Sequence, residues 1–150
     1  MNLAEFEEKW KIEGKTEVGT IKCFLIAILE YLDGNEEAEK MIVLPMQENE
    51  INRVKYYLTT QFGRTKNIAA SYLGGTPDND YQYNYDNEVV ILESQSKRGE
   101  DKSKIFIKSG GKDLPSPVHL QKDDQGYWKL INVSSIATGV QKSKSEKEEN

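Results

Sequence analysis

The residues of this sequence that could do chemistry are few and widely spaced. Tyr72, Tyr81, Tyr83 and Tyr85 flank a Gly/Thr/Pro/Asp/Asn segment at 74–80, and the last three alternate, so an extended chain would project them on one side. Tyrosine joins a large contact area to a polar tip and is favoured in binding hot spots. Together with Asp78 and Asp80, these tyrosines form a candidate binding surface. The plain alternative is a strand packed on helices with its hydroxyls at the rim. Asp113, His119 and Trp128 join the same candidate set, as residues that could line a pocket between helices and sheet.

Nucleophiles and metal ligands are scarce. One cysteine and one histidine exclude an intramolecular disulfide and a Cys/His zinc site. Cys23 lies in the most apolar stretch, where a thiol keeps a high pKa and behaves as a small hydrophobe. His119 sits between Val118 and Leu120 and points away from both in a strand; the sequence leaves open whether it meets Cys23. Asp78-Asn79-Asp80 opens like a calcium loop, but Tyr83 stands where glycine must make the turn and the closing Glu is missing. Ser109-Gly110-Gly111-Lys112 resembles the end of a phosphate loop, yet Asp113 follows where Ser or Thr is needed, and its charge would repel phosphate. Ser134 and Ser135 lack the Gly-x-Ser-x-Gly elbow. No catalytic residue, metal or cofactor is therefore assigned.

Charge distribution narrows the partner class. The 150 residues carry 20 Lys+Arg and 25 Asp+Glu, a net charge of −5. Residues 1–50 hold 12 acids and 5 bases, whereas residues 101–150 hold 7 acids and 9 bases. An acidic helical third and a slightly basic remainder argue against generic nucleic-acid binding, which needs clustered cations. The acidic start does not read as a signal peptide, and the apolar run Ile21–Leu32 is too short for a membrane span. A cytoplasmic location without membrane contact is expected.

These residues need elements to hold them. Leu3, Phe6 and Trp10 predict a helix over 2–12, and apolar residues all round the helical wheel predict a buried helix over Glu17–Leu32. Further helices are expected at Glu36–Leu44, Glu48–Thr60 and Thr65–Tyr72. After residue 80 the pattern turns to β, with strands expected at Tyr81–Tyr85, Glu88–Ser94, Lys104–Lys108, Pro117–Lys122 and Tyr127–Val133. Asp123-Asp124-Gln125-Gly126 is a good hairpin turn between the last two. Helices followed by strands indicate an α+β fold, with the helical N-terminal half packed on a curved antiparallel sheet of four to five strands. Residues 1–141 read as one domain and 142–150 as a disordered charged tail.

Three blocks carry a family resemblance: Ala70-Ser71-Tyr72-Leu73-Gly74-Gly75-Thr76-Pro77-Asp78-Asn79-Asp80-Tyr81, the stretch from Lys104 to Leu120 around Phe106-Ile107-Lys108-Ser109-Gly110, and Tyr127-Trp128 with Ser134-Ser135-Ile136. The chain resembles an uncharacterised bacterial family of single α+β domains of unknown function, loosely over 16–142 and specifically from 70 onward. It departs at Ala70 and Ser116, where the family carries arginines, so the resemblance implies no anion-binding role at those positions. In layout alone it is also loosely similar to cone-shaped nuclear-transport-factor-like domains, which host both ligand pockets and protein-binding surfaces.

Without a catalytic constellation, the expected function is a non-enzymatic module that binds another protein. One concrete form is an inhibitor or immunity protein masking a basic partner, since acidic proteins steer rapidly onto cationic ones. The alternative is a small-molecule-binding or enzymatic domain with a pocket between helices and sheet. Oligomeric state is not legible in the sequence.

Overall fold

A computed structural model describes residues 1–148. Helix α1 (Leu3–Glu13) starts where the Asn2 side chain accepts the Glu5 amide at 2.8 Å, and it buries Phe6 and Trp10, one turn apart on a single face. Gly14 ends it, with no room for a side chain: a Cβ there would lie 2.8 Å from both the Trp10 and Tyr127 rings. Thr16 caps α2 (Glu17–Leu32), whose central run from Cys23 to Leu29 is wholly buried. That burial accounts for its apolar surface on every side.

The next helices are shorter than their sequence patterns. The Asn35 side chain accepts the Glu37 amide, so α3 (Ala38–Val43) begins only after a turn. The expected helix from Glu48 divides into a 3₁₀ turn, Glu48–Glu50, and α4 (Ile51–Thr60). Of the span from Thr65 to Tyr72 only α5 (Asn67–Ala70) is helical.

The sheet is an open antiparallel meander of four strands, β1 (Lys97–Arg98), β2 (Lys102–Ile107), β3 (Ser116–Lys122) and β4 (Trp128–Asn132), in sequential order. β3 and β4 pair through the expected turn, with a bulge at His119/Leu120. Ile105, Ile107, Val118, Leu120 and Leu130 have no exposure and form the inner face; the Thr20 hydroxyl of α2 donates to the Trp128 carbonyl at 2.8 Å. The outer edge of β4 is covered by backbone: Trp128 N–H donates to the Gly14 carbonyl, Leu130 N–H to that of Pro45, and Gln47 N–H to that of Leu130. Such cover removes a free edge that would otherwise recruit another strand.

Two expected strands are absent. Residues 81–85 run from one turn into the next with no regular structure between, because Asp80 and Tyr81 adopt left-handed φ of 55° and 57° and Asn79 closes a local loop with Thr76. Asn side chains that bond nearby backbone compete directly with sheet pairing. Residues 88–94 contribute a single bridge, Ile91 to Ile107. The two-residue β1 was not expected; it is wholly polar and exposed, so no apolar alternation marks it. Within 142–150, expected as a disordered tail, Lys144–Glu148 form α6, and 149–150 lie outside the described residues.

Candidate functional site

The four tyrosines separate into three environments. Tyr83 and Tyr85 stay together, their rings stacked with centroids 6.0 Å apart. Tyr85 donates to Glu30 Oε2 at 2.7 Å and Tyr83 to Asp33 Oδ2 at 3.2 Å, which fixes both rings on the C-terminal end of α2. An open groove of about 460 Å³ runs along this pair, lined by Glu30, Asp33, Tyr83, Asn84, Tyr85 and Asp86. Lys66 meets two of its lining residues: its ammonium pairs with Asp33 and stands 5.3 Å from the centroid of the Tyr83 ring.

Electrostatics here keep Glu30 in its charged form. Burial alone would raise the Glu30 carboxyl, but hydrogen bonds from Tyr85 and Asn35 and the Met1 ammonium at 3.3 Å outweigh it and hold the group below the usual carboxylate range. Burial, the bond to Glu30 and the neighbouring negative charges push the Tyr85 phenol up, so it stays a neutral donor. Sequence reasoning did not select Glu30, Asp33, Lys66 or Asp86. A signal did exist for Glu30, because an acid inside the apolar run Ile21–Leu32 must find partners when the helix is buried.

Tyr81 turns the other way and donates to the Gln141 carbonyl at 2.5 Å, while Asp80 Oδ1 accepts the Ser145 amide at 2.9 Å. Both therefore anchor the segment leading into α6. Asp78 is exposed. Among the described residues no group of three His, Cys, Asp or Glu stands close enough to hold a metal.

Tyr72 is buried, and its hydroxyl meets Ser116 Oγ and Lys112 Nζ, each at 3.1 Å. Lys112 also donates to the Ser135 carbonyl at 2.9 Å and to Thr138 Oγ1 at 2.5 Å. Burial lowers its ammonium to about 8 and raises the Tyr72 phenol to about 12. Lys112 thus ties the β2–β3 connection to the 3₁₀ turn Ser134–Ala137. Asp113, next to it, is exposed.

The other candidates lie apart from one another. Trp128 is 5% exposed in the core, with the Lys122 ammonium over its ring. His119 is on the outer sheet face, paired in register with Lys104 and Asn132. Cys23 is fully buried, and burial pushes its thiol to about 12, far from thiolate chemistry at neutral pH. A separate apolar cleft of about 260 Å³ opens between α2, α3 and α4, walled by Tyr31, Ile42, Val43, Ile51, Val54 and Leu58.

No helix among the described residues is long and apolar enough to cross a membrane. Neither a curated protein nor a solved structure matches the chain. A family model does match, over residues 1–144, and the chain accordingly belongs to the family described as Domain of unknown function (DUF6935).

Proposed function

We propose that this chain is a non-enzymatic, cytoplasmic bacterial module that binds another protein, and that the partner offers lysine or arginine side chains to the groove along Tyr83 and Tyr85. One observation carries this reading: the stacked tyrosines donate to Glu30 and Asp33 and line one groove with Asp86, and Lys66 of the same chain already engages Asp33 and the Tyr83 ring. A cation from a partner would meet the same carboxylates and ring faces, with cation–π attraction added to charge pairing. The excess of acids in residues 1–50 would steer a basic partner toward this side of the sequence's helical third. An inhibitor or immunity protein that masks a basic toxin is a concrete form of this function.

The test is affinity capture with the products of neighbouring genes, followed by amide shift mapping with a lysine-rich peptide. Binding that shifts Tyr83, Tyr85 and Asp86, weakens with salt and is lost in Tyr83→Ala supports the reading. Salt-independent binding, or shifts confined to other surfaces, would overturn it. The rival, a small-ligand domain, draws on the apolar cleft between α2, α3 and α4. Its volume is small for a ligand pocket, and Glu39 and Lys55 are the charged groups at its otherwise apolar wall, which makes it the weaker reading.

A further inference from the structure

The tyrosine groove already holds cations of its own chain. On Glu30, Oε1 takes the Met1 ammonium at 3.3 Å and the Asn35 side-chain amide at 2.9 Å, and Oε2 takes the Tyr85 hydroxyl. Asp33 is filled in the same way, with Lys66 on Oδ1 and the Tyr83 hydroxyl on Oδ2. Asp86, the third carboxylate of the lining, makes no ion pair among the described residues. The resting groove is therefore less acidic than its three carboxylates suggest. A partner's cation meets Asp33 Oδ1 in competition with Lys66.

The two internal pairs differ in how readily they open. The Glu30 side chain is 12% exposed and that of Met1 21%, so parting them would strand a nearly dry carboxylate. The Lys66 and Asp33 side chains are 42% and 45% exposed, and an ion pair so open to water contributes little to stability. Hydrogen bonds to Asp33 and Tyr83 hold the Lys66 ammonium above the ordinary lysine range, so it competes as a full charge at neutral pH. Room for the released side chain is at hand. A second open groove, of about 390 Å³, adjoins the first at Tyr83, which lines both, and Lys66 and Asp80 belong to its wall.

Lysine is a compact, strongly hydrated charge on a flexible stem, whereas the planar guanidinium of arginine stacks on aromatic rings and grips a carboxylate with two N–H groups. Arginine is thus the stronger competitor for a site made of Asp33 and the Tyr83 ring. Resting on the reading that this groove binds a basic protein, we propose that Lys66 is a built-in competitor: an arginine side chain of the partner displaces it from Asp33 and the Tyr83 ring, and Lys66 turns toward Asp80.

The experiment titrates the full chain with an arginine-rich peptide and with a lysine-rich peptide of equal length and charge, following amide shifts and the lysine Cε resonances. The arginine peptide should bind more tightly, and at saturation the Lys66 Cε resonance should move toward that of a solvated lysine. Lys66→Gln should bind it about tenfold more tightly, since the ion pair and the ring contact it removes are each weak. Lys66→Arg keeps the charge and strengthens the grip, so it should bind no better than the parent. Lys108→Gln removes an exposed charge outside both grooves and should not reproduce the gain. Unchanged amide spectra away from the groove verify the fold of each variant. If the peptide shifts Tyr83, Tyr85 and Asp86 but Lys66→Gln binds no better than Lys108→Gln, the displacement is wrong while the groove reading stands. If no peptide reaches the groove even in Lys66→Gln, the groove reading falls and takes the displacement with it. Equal affinity for the two peptides would overturn arginine as the occupant.

Discussion

The Tyr85 hydroxyl donates to Glu30 Oε2 across 2.7 Å, tying the loop that follows α5 to the last turn of the buried helix α2. The bond matters for stability because its acceptor is a carboxylate with little access to water. Tyr85→Phe removes one donor and keeps the ring, so it should destabilise the protein by about 1–2 kcal/mol. The sign with pH follows from Glu30, whose carboxyl is held low in the folded state. Its stabilisation is present above the unfolded carboxylate pKa and disappears as pH falls through the lower folded value. Urea melts from neutral to acid pH should therefore show a shallower acid loss in Tyr85→Phe than in the parent chain.

That link also marks the limit of what the sequence disclosed. α2 was legible from residue 17 to 32, because a helix buried on all sides carries its own signature, and the β3–β4 hairpin was legible from its Asp/Gly turn. The tyrosine groove was only half legible. Alternating aromatics suggested a strand, but the left-handed Asp80 and Tyr81 and the Asn79 bonds turn Tyr81 away and leave Tyr83 with Tyr85. Their carboxylate partners lie some fifty residues earlier, a separation for which local periodicity carries no information. Lys112 was read only as part of a failed phosphate loop; its burial depends on Tyr72, Ser116 and Thr138, which no spacing rule brings together.

Glu50 should behave in the opposite sense to Glu30. It is 2% exposed at the start of α4, with Arg53 at 3.4 Å from Oε2 and no hydrogen bond of ordinary geometry at Oε1. Burial pushes its carboxyl up despite Arg53. A raised folded pKa means that the charged form costs stability above that value, and that stability recovers as pH falls toward the unfolded pKa. Glu50→Gln should therefore raise stability at pH 7 by about 1 kcal/mol and flatten this dependence. The lost contact with the largely exposed Arg53 offsets little of that gain. A lower denaturation midpoint for Glu50→Gln at pH 7 would contradict the assignment.

Cys23 reports on global opening. Its thiol is fully buried in α2 and raised to about 12, so neither access nor thiolate is provided by the native state. Modification by a thiol reagent at pH 8 should proceed at the rate of unfolding and accelerate in parallel with denaturant-induced loss of helix signal. Rapid labelling under native conditions would place the thiol at an opening other than the global one.

Lys112 gives a prediction that separates a clamp from a surface lysine. Its ammonium donates to Tyr72, Ser135 and Thr138 and lies 3.3 Å from Ser116 Oγ, and burial brings it down to about 8. A base held low in the folded state costs stability while it is charged in both states, so stability should rise between about pH 8 and the unfolded value of 10.5. Carbon-detected titration of the lysine Cε resonances should find one lysine with a midpoint near 8. In Lys112→Met that resonance disappears and the alkaline rise is lost. The cost at pH 7 should stay within about 1 kcal/mol, since Tyr72 still bonds Ser116 and Thr138 still bonds the Ser135 carbonyl. A Lys112 midpoint near 10.5 would mean that its head group is solvated, and the link from the β2–β3 connection to the Ser134–Ala137 turn would then rest on backbone packing alone.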